Sequence, residues 1–167
     1  MSSVATLQPA TAVFREEQYF DWRVYALIAA VEVLTGLGLL HGRAWSLDFV
    51  LGIVLGLGLV MVLVVFLLYM TTEVTPTDVR VWFGWVPTYR RFVPIAAVRR
   101  VEVVTFRPIA DYGFWGIRSG RDGTRALIAR GNRGVRLELA DGSFLLIGSQ
   151  RSEALARAIE HAMRPGT

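Results

Sequence analysis

The chain has 167 residues, 53% of them hydrophobic, with a formal net charge of +4 and a mean hydropathy of +0.44. That balance fits membrane-embedded segments joined to one small domain, and the positive charge suits an anionic membrane surface. There is no cysteine, which excludes disulfides, thiolate metal sites and a cysteine nucleophile. The two histidines, His41 and His161, fall on opposite sides of the membrane in the topology read below, so they share no dyad.

Residues Met1–Val13 are small and polar without a period and read as a disordered N-terminus. They do not form a signal peptide, because the apolar run starts only at Val24 and no cleavage motif follows it. Phe14–Tyr25 mixes charges with aromatics, which suits an interfacial segment with Tyr19, Trp22 and Tyr25 at headgroup level. It leads into a first transmembrane helix, about residues 24–40, interrupted by Glu32 and Thr35. A polar turn, His41–Asp48, precedes a second apolar run, Phe49–Met70, which carries no charged side chain. As a helix that run spans roughly 33 Å, enough to cross a hydrocarbon core.

The two helices then form an antiparallel hairpin with both termini on one side. Arg15, Arg23 and Arg80 flank the membrane on that side against Arg43 in the turn, so the positive-inside rule makes the termini cytoplasmic. Glu32 lies near the bilayer midplane, where an ionisable group is costly. Helix symmetry sets Glu32 level with Gly56 and Leu57, and Gly36 level with Gly52 and Ile53, and the expected contact packs Glu32, Thr35 and Gly36 against a Gly52/Gly56 groove. Two readings of Glu32 stay open: a neutral carboxyl gluing helices or subunits, and a proton or ion sensor.

After Met70 the pattern alternates, with turn residues every few positions. Seven strands are expected: Thr71–Thr75, Val79–Phe83, Tyr89–Val93, Val98–Arg107, Arg125–Arg130, Val135–Ala140 and Phe144–Gly148. Asp141-Gly142 signals the last hairpin, because Asp-Gly accepts positive φ at low cost. Ser152–Met163 reads as an amphipathic helix capped by Ser149 or Ser152, with Glu153–Arg157 and Glu160–Arg164 as i,i+4 pairs. The expected fold is a membrane α-helical hairpin (14–70 with its interfacial segment) followed by an all-β pleckstrin-homology (PH)-like barrel, 71–167. About seven antiparallel strands make that barrel and the C-terminal helix caps it.

Three stretches carry a resemblance. Arg107–Arg118 (RPIADYGFWGIR), Gly131–Ala156 (GNRGVRLELADGSFLLIGSQRSEALA) and Phe14–Gln18 (FREEQ) are similar to a family of bacterial membrane proteins with two N-terminal helices and a C-terminal PH-like domain. The resemblance implies that architecture and a place in the bacterial inner membrane; it implies no activity. Phe114 departs from it where a glycine is expected, and Ser152 where a proline is usual.

Two stretches outside the helices are candidates for binding. Trp82, Trp85, Tyr89, Arg90 and Arg91 interleave aromatics with arginines near the membrane, a composition suited to lipid headgroups. The long loop Pro108–Thr124 holds Asp111, Tyr112, Phe114, Trp115, Arg118, Arg121 and Asp122 between glycines. It serves either as a protein-binding face or as a lid, with Trp115 folded over the core and Arg118 held against Asp111. The glycines match no phosphate-binding spacing, and the balanced charge argues against nucleic acid. No convergent acid–base or metal set appears, and no cofactor is implied. The expected function is therefore non-enzymatic: a scaffold binding a protein partner or its own copies at the cytoplasmic face. The alternative is a lipid- or small-ligand-binding module.

Overall fold

A computed structural model describes residues 12–41, 46–120 and 122–164. Most of the expected disordered N-terminus, together with Arg43 and Arg121, lies outside the described residues. Among those described, the order is β1 (Phe14–Tyr19), α1 (Trp22–Leu40), α2 (Leu47–Leu67), β2 (Tyr69–Val74), β3 (Asp78–Phe83), β4 (Tyr89–Pro94), β5 (Val98–Thr105), α3 (Pro108–Tyr112), β6 (Gly116–Ser119), β7 (Arg125–Ile128), β8 (Arg133–Leu139), β9 (Phe144–Gly148) and α4 (Ser152–Met163).

At 19 and 21 residues, α1 and α2 are about 28 and 31 Å long. Both are long and apolar enough to cross a bilayer. Their outer surfaces are uncovered: Leu34 is 69% exposed and Leu55 72%. The Asp21 side chain accepts from the Arg23 N–H at 3.0 Å, and Ser46 Oγ accepts from the Phe49 N–H at 3.3 Å, so each helix start has a side-chain acceptor.

The strands form two open sheets, β1-β2-β3-β4 and β5-β8-β9-β7-β6, rather than the single closed barrel that the sequence suggests. Pro94 and a 3₁₀ turn at Ile95–Ala97 carry the chain out of the first sheet, so β5 pairs with β8 and not with β4. The second sheet is not wholly antiparallel either. β9 lies between β8 and β7, antiparallel to the first and parallel to the second. Glycines permit this insertion. Gly134 and Gly148 are paired, and a Cβ on Gly134 would collide with the Ile147 carbonyl, while one on Gly148 would press on the Ile128 backbone at 3.3 Å.

Phe14–Tyr19, expected at the membrane interface, is a strand. β1 pairs with β2 from Phe14↔Val74 to Tyr19↔Tyr69, so the first sheet begins before the two helices and resumes after them. Phe14, Glu16 and Gln18 point inward. Gln18 Nε2 donates to the Gly148 carbonyl at 3.1 Å. The buried Glu16 carboxylate accepts from the Ser149 hydroxyl and, at 3.0 Å, from the Gln150 N–H. Arg151 donates to the Arg15 carbonyl and lies 4.8 Å above the Phe14 ring. β1 thus joins the first sheet to the end of the second.

One core fills the space between the sheets, with Met70, Val74, Val81, Leu127, Ile128, Leu137, Leu145 and Ile147 at its centre. α4 closes it with Leu155, Ala156 and Ile159 of the expected stripe Leu155, Ala156, Ile159, Ala162 and Met163; Ala158, outside that stripe, is buried as well, and Ala162 and Met163 are only partly buried. Its polar contacts differ from expectation. Glu153 pairs with Arg133 of β8 instead of Arg157, and Arg151 occupies the N-cap position, with Ser149 Oγ accepting from its N–H at 3.0 Å.

Candidate functional site

The helices and the sheets meet at a joint built from backbone bonds. The Phe20 N–H donates to the Leu68 carbonyl (3.4 Å), the Asp21 N–H to Ala129 (3.1 Å) and the Trp85 N–H to Phe66 (3.1 Å). The Tyr25 hydroxyl adds a fourth tie, donating to the Leu68 carbonyl at 2.9 Å and accepting from the Phe20 N–H at 3.3 Å. The start of α1 and the end of α2 are therefore fixed side by side against both sheets. Neither helix is free to swivel on a linker.

Inside the hairpin, the expected register holds but the rotation of α2 differs. Gly36 is buried, and a Cβ there would meet Leu57 at 3.2 Å and Ile53 at 3.8 Å. Gly52 and Gly56, expected to form the groove for α1, are exposed, and a Cβ added at either would have nothing within 4 Å. α2 is apolar on every side, so packing favours the face whose branched side chains fill the space over Gly36. Thr35 is occupied by its own helix, its hydroxyl donating to the Val31 carbonyl at 2.8 Å. Glu32 is half-buried, and one of its carboxyl oxygens is buried without a partner among the described residues.

The five residues expected to contact lipid do not form one patch. Trp82 and Arg90 are register partners on the outer face of the first sheet. Tyr89 and Arg91 lie on the inward-facing side of β4, where Arg125 stacks over Tyr89 at 6.0 Å. Trp85 alone stands at the helix ends, in the β3–β4 turn. Its ring is 5.6 Å from Phe66 of α2, and it is 73% exposed beside Val86 at 74%. Gly84 makes the turn possible with φ of +84°, a conformation that a Cβ would strain.

The 108–124 segment is a lid more than an open loop. It forms α3 and β6, and Trp115 is only 5% exposed, packed edge-on to Phe114 at 5.1 Å. Arg118 is not held by Asp111. Its Nε donates to the Trp115 carbonyl at 3.2 Å, while Asp111 accepts from the Arg107 N–H at 2.7 Å and from its guanidinium at 3.4 Å. The i,i+4 spacing of Arg107 and Asp111 across α3 favours that partner.

Two cavities border the lid. One, of about 450 Å³, lies between α3 and the second sheet and brings Arg107, Asp111, Tyr112, Asp122 and Arg136 together. Burial, then the Asp122 charge, pushes the Tyr112 hydroxyl above its ordinary pKa. The Thr124 hydroxyl and N–H, donating to Asp122, hold that carboxyl below its usual range, with a smaller contribution from Arg136 at 3.7 Å. Arg136 also lies 4.2 Å over the Phe144 ring, and its Nε is buried without an acceptor among the described residues. The second cavity is an apolar groove of about 610 Å³ where the lid meets the two helices, lined by Val24, Leu27, Ile28, Leu67, Phe114 and Trp115 among others. Sequence reasoning missed this groove, because its walls come from four separated segments.

Compared with known families and curated proteins, the chain matches no family model and no curated relative.

Proposed function

We propose that the protein is a non-enzymatic, membrane-anchored interaction module. Its two apolar helices cross the bacterial inner membrane as a hairpin with both termini cytoplasmic. Its two-sheet domain, PH-like in plan, is held against the cytoplasmic surface and binds a protein partner or a second copy of itself. The joint is the observation that carries this reading: five hydrogen bonds tie the helix ends to each other and to both sheets. A scaffold gains from that rigidity, since a preoriented surface loses less freedom on binding. The cavity of Arg107, Asp111, Tyr112, Asp122 and Arg136, with Ile109 58% exposed on α3 beside it, supplies charge of both signs next to an apolar anchor. Full-length protein purified in mild detergent is expected to retain a stoichiometric partner that Ile109→Arg or Arg136→Ala releases. Recovery of the chain alone, monomeric and unchanged by either substitution, would refute the partner.

Lipid contact by the β3–β4 turn is a second reading, favoured by exposed Trp85 and Val86 beside the end of α2. It is tested with the whole chain, since a fragment from Thr71 lacks β1. Trp85→Ala with Val86→Ser should lower retention on anionic vesicles, and unchanged retention would end that reading.

A further inference from the structure

The apolar groove at the joint differs in chemistry from the surfaces proposed above. Val24, Leu27 and Ile28 come from the first turns of α1, and Leu67 and Leu68 from the end of α2 and the residue after it. The opposite wall is the lid, with Phe114, Trp115 and Ile117. If the helices cross the bilayer, this groove sits at the boundary between acyl chains and headgroups and is continuous with the lipid phase. Its volume of about 610 Å³ is in the range of a small-molecule site.

Two polar features keep it from being a mere packing gap. Arg118 lines it and is exposed, tethered by Nε to the Trp115 carbonyl, with no acidic partner among the described residues. The tether spends one donor and leaves both terminal nitrogens for an anion, the fork geometry that suits phosphate oxygens. The second feature is Trp115. It lines the groove, it is 5% exposed, and its indole N–H is buried without an acceptor among the described residues. A buried donor left unpaired is costly, so Trp115 gains from any oxygen acceptor that a ligand in the groove brings within its reach.

We propose that this groove is a site for one glycerophospholipid, with an acyl chain against Leu27, Ile28 and Phe114 and the phosphodiester on Arg118. The site rests on the membrane-crossing reading of the helices and is independent of the protein partner. The bound lipid completes the joint: it fills the wedge between helices and lid and ties the lid's position to the membrane.

The test is native mass spectrometry of the full-length chain released from detergent micelles doped with phosphatidylglycerol or with diacylglycerol of the same acyl chains. The wild type is expected to retain one phosphatidylglycerol, with diacylglycerol held about ten-fold less, the worth of one charge-assisted hydrogen bond. Arg118→Gln should erase that difference, Arg118→Lys should restore part of it, and Leu27→Trp, which fills the groove from an exposed position, should lower retention of both lipids. A stepwise ladder of adducts, equal for the two lipids and indifferent to Arg118→Gln, would overturn the site. If Leu27→Trp does not fold, the exposed Arg118 substitutions decide alone. Release of the chain from membranes by alkaline carbonate would overturn the membrane reading and the site together, whereas retention with an unselective ladder overturns the site only.

Discussion

Glu16→Ala is the most informative single substitution outside the helices. The carboxylate lies on β1, is 6% exposed, and accepts from the Ser149 hydroxyl and the Gln150 N–H at the β9–α4 corner. Each hydrogen bond to a charged acceptor contributes about 1.5–3 kcal/mol, and its loss leaves a buried donor unsatisfied. Water entering the vacated space recovers part of this, so we expect a loss of about 3 kcal/mol. For a domain near 100 residues that lowers the melting midpoint by about 12–24 °C. Glu16→Gln keeps the shape and one acceptor oxygen and should cost about half as much. Glu17→Ala is the matched control: Glu17, the next residue on the strand, is solvent-exposed and pairs with Arg15 at 2.7 Å, so its loss should cost under about 1 kcal/mol. The assay is thermal unfolding of the full chain in mild detergent, followed by tryptophan fluorescence. If Glu16→Ala melts within a few degrees of Glu17→Ala, β1 is not the clasp between the two sheets.

Three further outcomes are expected. Gly134→Ala places a methyl against the Ile147 carbonyl and should destabilise the domain by about 2 kcal/mol or more in the same melt, whereas Gly142→Ala, in open space, should cost only its positive-φ strain of about 1 kcal/mol. In the helix pair, Gly36→Cys with Ile53→Cys should form a disulfide under mild oxidation, and Gly36→Cys with Gly52→Cys should not; the reverse would restore the glycine groove that the sequence suggests. Acid should destabilise the domain in a definite direction. The Asp78 carboxyl is held below its usual range chiefly by the Arg80 hydrogen bond, so the stability it contributes is present above the unfolded value of about 4 and is lost as pH falls through the depressed folded value. Asp78→Asn should therefore flatten the acid limb of a stability–pH curve, and an unchanged limb would remove Asp78 from the account.

The helices were legible because a long uncharged run has few alternatives. Their register was legible too, since a short turn fixes which levels face each other. The rotation was not: α2 is apolar all round, and no period distinguishes Ile53 and Leu57 from Gly52 and Gly56. Strands with apolar alternation, such as Val135–Leu137–Leu139 in β8, were visible for the same reason that β1 was hidden. β1 has the two-residue period, but two of its three inward positions are Glu16 and Gln18, whose partners lie about 130 residues away in sequence. β6 has four residues and little burial, so no pattern could announce it. Open sheets replaced the closed barrel because strand order depends on long-range choices, such as β9 entering between β8 and β7, that glycines permit without announcing. Among the candidate site residues, the sequence left Trp115 open between a binding face and a cover over the core, and it did not give the partner of Arg118: Asp111 had a nearer arginine one helical turn back.

The central claim is that one domain, begun before the helices and finished after them, lies on a single side of the membrane. The chain has no cysteine, so single substitutions report without background. Val13→Cys, His41→Cys and Arg164→Cys should be probed with a membrane-impermeant maleimide on intact bacterial spheroplasts and after lysis. We predict labelling of His41→Cys in intact cells and of Val13→Cys and Arg164→Cys only after lysis. Labelling of Val13→Cys and Arg164→Cys on opposite sides, or of all three before lysis, would contradict the account.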